Sequence, residues 1–144
     1  MPEKIRVLVI DDSALMRKKI SDLINSDEQL EVIGTARNGE EGVKEVLLQR
    51  PDVVTMDVEM SKMDGITALG YIMSDRPTPV IMVSAYTAQN SDITIKALEF
   101  GAVDFVLKPD GVISLDILKV KTELISKIKM AAKVPRDKLR LGMG

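Results

Sequence analysis

Cysteine and histidine are both absent from this chain of 144 residues. The first absence excludes disulfides, thiolate metal sites and cysteine nucleophiles. The second excludes imidazole general bases, and with them any Ser-His-Asp triad. Any chemistry must therefore rest on carboxylates, hydroxyls, lysines and a bound ion. No apolar run reaches the ~18 residues of a membrane-spanning helix. The start, Met1 to Lys4, lacks a signal-peptide pattern, so a cytoplasmic protein without membrane insertion is expected. A basic excess is also missing: 20 Lys and Arg face 22 Asp and Glu, for a net charge of −2. That balance argues against a nucleic-acid partner, whose phosphates demand a basic surface. What is present is a hydrophobic fraction of 45%, enough for the packed core of one domain.

Apolar runs alternate with helix-period segments. Ile5 to Ile10 (IRVLVI) predicts a strand, followed at once by Asp11 and Asp12, with Ser13 placed to cap a helix over about 14–25 carrying Met16, Ile20, Leu23 and Ile24. Leu30 to Ala36 predicts a second strand, Asn38-Gly39 a turn, and Val43, Val46 and Leu47 one face of a helix stopped by Pro51. A third strand runs from Asp52 to Met56 and ends in Asp57. A loop through Met60, Met63 and Asp64-Gly65 leads to a helix with Ile66, Leu69 and Ile72. Val80 to Val83 predicts a fourth strand finishing at Ser84. A helix over Ser91 to Phe100 is closed by Gly101, and Val103 to Leu107 makes a fifth strand before Lys108-Pro109. A last helix is expected over about Ser114 to Ala132.

Five β-α units predict an α/β fold with a parallel sheet covered on both faces. The expected form is the doubly wound, flavodoxin-like order 2-1-3-4-5; the handed crossovers leave few alternatives. The folded domain is expected over 1–132. The segment 133–144, with Pro135 and two glycines, is expected to start a linker to a further, C-terminal effector domain.

In a doubly wound sheet, ligands bind beyond the carboxyl ends of the strands near the switch point. Asp11, Asp12 and Asp57 end neighbouring strands there, and Ser84 and Lys108 end strands on the same side. Two carboxylates ~4 Å apart repel by about 1 kcal/mol in water and ~4 kcal/mol at an effective dielectric of 20. A partly buried trio must protonate or recruit a cation. Mg2+ suits carboxylates, a carbonyl, waters and a phosphate oxygen, which points to Mg2+-assisted phosphoryl chemistry.

At these residues the chain resembles the response-regulator receiver family: VLVIDDS, MDVEM followed by MDG, VSA and FVLKP occur in the family's order and spacing over about residues 4–130. The resemblance implies roles. Asp57 would be the phosphorylated residue, with Asp12 a direct metal ligand and Asp11 one through water. Glu59 would offer its backbone carbonyl to the metal. Ser84 would be the switch hydroxyl and Phe105 the switch aromatic, while Lys108 clamps the phosphoryl group. The family usually has Pro where Ser61 stands; Ser frees φ and restores an N–H, so a looser loop is expected.

A finer likeness, in MDVEM with MDG and in LKP followed by ISLD, is to the receiver half of chemotaxis protein-glutamate methylesterases, which also deamidate glutamine. It implies a chemotaxis histidine kinase as phosphodonor, a C-terminal methylesterase domain as target and chemoreceptors as indirect substrates. Apolar Ile93, Ile95, Leu98 and Phe100 on the fourth helix suggest either core or an interaction surface. Three other readings compete. A stand-alone Mg2+ phosphatase of the haloacid dehalogenase type would place its nucleophile after the first strand. A flavin module would need a phosphate loop where Asp11 and Asp12 stand. A receiver serving a DNA-binding domain would share all of the receiver chemistry.

Overall fold

A computed structural model describes residues 3–84, 92–108 and 114–139. Among them five parallel strands form one sheet in the order β2-β1-β3-β4-β5. The strands are β1 (Ile5–Ile10), β2 (Leu30–Ala36), β3 (Val53–Asp57), β4 (Val80–Ser84) and β5 (Asp104–Leu107). The helices are α1 (Ala14–Asn25), α2 (Gly39–Gln49), α3 (Gly65–Asp75), α4 (Asp92–Glu99) and α5 (Ser114–Ala131). The expected order and fold class are thus observed. Ser91 and Pro109, at which two predicted boundaries fall, lie outside the described residues.

Side-chain alternation divides the core in two. Leu8, Ile10, Val54, Met56, Val80 and Met82 face α2, α3 and α4, meeting Val46, Leu69, Ile72 and Ala97. Val7, Val9, Val53, Ile81 and Val83 face α1 and α5, meeting Ile20, Ile24, Leu124 and Ile128. Burial on both faces explains why these strands are continuous apolar runs rather than alternating ones.

The starts of α1, α2 and α3 each have a local cause. The Ser13 hydroxyl accepts from Met16 N at 3.1 Å, as the sequence predicts. Asn38 heads α2 as a cap, its side chain accepting from Glu41 N at 2.8 Å, rather than merely making a turn. Asp64 does the same for α3 through Thr67 N at 2.8 Å. All three caps lie at the carboxyl edge of the sheet, so the βα loops there are pinned at their far ends.

Beyond α5 the chain turns back and packs on the domain as far as Leu139. Leu139 is buried in the α2–α4 core cluster, with Val134 against it, and residues 136–138 make a short 3-10 turn. The Arg136 guanidinium donates to Pro77 O at 2.8 Å, to Thr78 Oγ1 at 3.3 Å and to Pro51 O at 3.3 Å. Alternating polarity made this segment look solvated, but its two aliphatic side chains and one arginine find partners on the loops that precede β3 and β4.

Candidate functional site

Ile10 pairs with Met56 across β1 and β3, so Asp11, just after β1, and Asp57, last in β3, emerge side by side. Both are buried, whereas Asp12 is exposed. One carboxylate oxygen from each of the three lies within 4.8 Å of the others. Lys108 follows β5 and reaches past the end of β4. Its Nζ is 3.1 Å from Asp57 Oδ2 and 3.4 Å from Asp11 Oδ2. Four of the predicted residues therefore meet at one point.

Asp11 is held on several sides. Its N–H donates to Ala36 O at 3.1 Å, and its Oδ1 accepts from Ser13 N at 2.9 Å. Its Oδ2 is buried with no hydrogen-bond partner; Lys108 attracts it from 3.4 Å but is not aligned to donate. An orphaned carboxylate oxygen beside two further carboxylates is the donor set of a hard, oxygen-seeking cation. The residues present fit Mg2+.

The electrostatics agree. Burial, then the Asp11 charge, pushes the Asp57 carboxyl from an ordinary 3.8 up to about 6, although Lys108 opposes both. Burial likewise raises Asp11. Burial pulls the Lys108 ammonium down, but Asp57 and Asp11 outweigh it and the net shift is upward. Lys108 stays charged, and one ammonium does not neutralise three carboxylates.

The remaining predicted residues are placed less fully. Glu59 lies two positions after Asp57 with an exposed side chain. Ser84 closes β4 opposite Leu107; its side chain lies outside the described residues. Phe105 pairs with Met82 and is buried in the α2–α4 core cluster. Ile95 and Leu98 on α4 are exposed, while Phe100 packs against the core; the Ile93 side chain is outside the described residues. Near Ser61, its carbonyl accepts from Met63 N at 2.8 Å, across Lys62 at φ 64°.

Two contributors escaped sequence reasoning. A Cβ on Gly65 would collide with the Asp57 carbonyl oxygen, and Gly65 N donates to Val58 O at 2.7 Å. The glycine lets α3 begin directly against the loop that follows Asp57; its place immediately after the capping Asp64 was the available signal. The other is Arg17, whose Nη1 donates to Asp11 O at 2.8 Å.

Residues 7–116 match the model of the response regulator receiver domain family. The chain is 57% identical over 141 residues to a protein-glutamate methylesterase/protein-glutamine glutaminase of Pyrococcus horikoshii, covering 98% of this chain and 38% of that protein. It thus spans under two fifths of the length of that curated relative. Among solved structures it is similar to the response regulator domain of Thermotoga maritima CheB, with a TM-score of 0.85 and 49% identity, covering 92% of this chain and 99% of that one. It is also similar to a chain in the CheX-CheY-BeF3-Mg2+ complex of Borrelia burgdorferi. There the TM-score is 0.70 and the identity 34%, covering 85% of this chain and 90% of that one.

Proposed function

Because the chain belongs to the response regulator receiver family, we propose that it is a phosphoryl-accepting switch in which Asp57 is modified with the help of Mg2+. The observation that carries this reading is the Lys108 ammonium 3.1 Å from the buried Asp57 carboxylate, within a cluster of three acids. Asp12, Asp57 and the Glu59 carbonyl would hold the cation directly, and Asp11 through water. The bound ion would offset negative charge on the acids and on the incoming phosphoryl group.

The protein's own groups do the rest. An Asp57 oxygen forms the new P–O bond as the donor's P–N bond breaks, and the electron pair leaves on the imidazole nitrogen of a histidine kinase. Lys108 stands ready to meet the added phosphoryl oxygens as a compact point charge. Ser84, at the end of β4, would turn its hydroxyl to them, with Phe105 held inward behind it. These charge-assisted contacts would favour a second arrangement of α4, β5 and α5. Moving a 1:99 population to 99:1 requires about 5.5 kcal/mol of differential stabilisation.

For the output, the likeness to methylesterases supports a C-terminal protein-glutamate methylesterase/glutaminase domain in a cytoplasmic chemotaxis pathway, with chemoreceptors as its substrates. The receiver unit would then run through Leu139, and the linker would begin beyond it. Exposed Ile95, Leu98, Leu107 and Leu118 offer apolar surface on α4, β5 and α5 for that domain. Among the described residues no helix is long and apolar enough to cross a membrane.

The test is the intact mass of the chain after incubation with acetyl phosphate, with and without Mg2+, beside Asp57→Asn. The expected result is a labile gain of one phosphoryl group that needs Mg2+ and is lost in the variant. No adduct, together with no binding of beryllofluoride, would leave the family's fold without its chemistry.

A further inference from the structure

We propose that Arg17 is a positioning residue for the cation site, setting Mg2+ affinity through the Asp11 backbone rather than through its own charge. The proposal rests on the reading of Asp12 and Asp57 as direct ligands of the cation and of Asp11 as one through water.

The argument begins with a local conflict. Arg17 lies in the first turn of α1, where its own N–H makes the opening bond to Ser13 O at 2.9 Å. A cation at a helix N-terminus is opposed by the helix dipole. That first turn also carries no acidic residue to compensate. A residue that violates a local preference needs a reason elsewhere. Helical side chains lean toward the N-terminus, so a long side chain here can reach the loop from which the helix starts. Arg17 does so: its Nη1 meets the Asp11 carbonyl at 2.8 Å in a partly buried setting.

The consequence lies in what that bond completes. Asp11 N is tied to β2 through Ala36 O at 3.1 Å, and Asp11 Oδ1 to Ser13 N at 2.9 Å. With the carbonyl taken by Arg17, the donor and two of the three oxygens of Asp11 are engaged, and only Oδ2 remains for the cation. The same carbonyl begins the peptide bond to Asp12, so the Arg17 bond also fixes the plane from which the exposed Asp12 carboxylate projects. Without it, that peptide could rotate, and two of the three acids would have to be ordered when the ion binds. Partners that orient ligands in this way typically contribute 10–100-fold to metal affinity.

Mg2+ binding by wild type, Arg17→Ala, Arg17→Gln and Arg17→Lys would be measured by titration calorimetry. Labelling by acetyl phosphate would be followed across Mg2+ concentration, with urea midpoints verifying that each variant is folded. Arg17→Ala should bind Mg2+ about tenfold more weakly, while its labelling rate at saturating Mg2+ stays within about twofold of wild type. Arg17→Gln, which keeps an N–H donor without the charge, should recover part of the affinity, as should Arg17→Lys. Unchanged Mg2+ affinity in Arg17→Ala would overturn the proposal. So would a loss confined to the saturated rate, or Gln as weak as Ala while Lys is restored. If the wild type itself binds no Mg2+, the reading of the acidic site fails first and takes this inference with it.

Discussion

The acidic site should make the protein less stable at neutral pH, and Asp57→Asn should relieve that. The Asp57 carboxyl sits at about 6 when folded against an ordinary 3.8. A carboxyl with a raised folded value holds its proton more tightly in the native state. It therefore imposes no penalty below about pH 4, a growing one between pH 4 and 6, and a constant one above. At 1.36 kcal/mol per pH unit, the gap between those two values is about 3 kcal/mol. Asparagine keeps the size and removes the charge, so it should gain up to that amount at pH 7.5 and almost nothing at pH 4. Urea unfolding in EDTA is the assay. It is best followed by far-UV circular dichroism because the chain has no tryptophan. With a slope of about 2 kcal/mol per molar urea, the midpoint should rise by about 1.5 M at pH 7.5. Mg2+ at 100 times its dissociation constant should stabilise wild type by about 2.7 kcal/mol and close most of the gap. A variant no more stable than wild type at pH 7.5, or an equal gain at pH 4, would refute the electrostatic argument.

Lys108→Met removes the cation 3.1 Å from Asp57 and 3.4 Å from Asp11; Asp57 should then titrate above about 6, read from the pH dependence of its side-chain carbon resonance. Leu139→Ala opens a cavity in the α2–α4 core cluster and should cost about 2–4 kcal/mol in urea unfolding. Ending the chain at Ala132 should cost at least as much, whereas a tail that were only a linker would leave the midpoint unchanged. Gly65→Ala forces a Cβ onto the Asp57 carbonyl and should cost about 3 kcal/mol or more, while Gly70→Ala, whose Cβ would meet only Phe100 at 3.6 Å, should be mild by the same measurement.

What was legible in the sequence follows from what kind of force acts. The strands were legible as apolar runs such as Val80 to Val83, because burial on both faces leaves no polar alternation to confuse the pattern, and their order followed from the alternation with helices and the handed crossovers. The acids were legible because strand ends place them: once Ile10 and Met56 are neighbours, Asp11 and Asp57 can only converge, whatever their rotamers. The packing of the tail was not legible, for the opposite reason. Lys133 to Leu139 is mostly polar, and its anchoring depends on carbonyls of Pro51 and Pro77 that are distant in sequence and invisible to any periodicity. Gly65 and Arg17 fall in the same class. Each acts on a backbone oxygen of an acid, at Asp57 and Asp11 respectively, and backbone oxygens carry no residue code. The site thus has two layers of different legibility. Residue types announce the chemistry of the carboxylates and the lysine, whereas the parts that hold those groups still are written in main-chain geometry. That division also explains why the two layers should respond differently to mutation: Asp57 and Lys108 through charge and pH, Gly65 and Arg17 through position at constant charge on the acids.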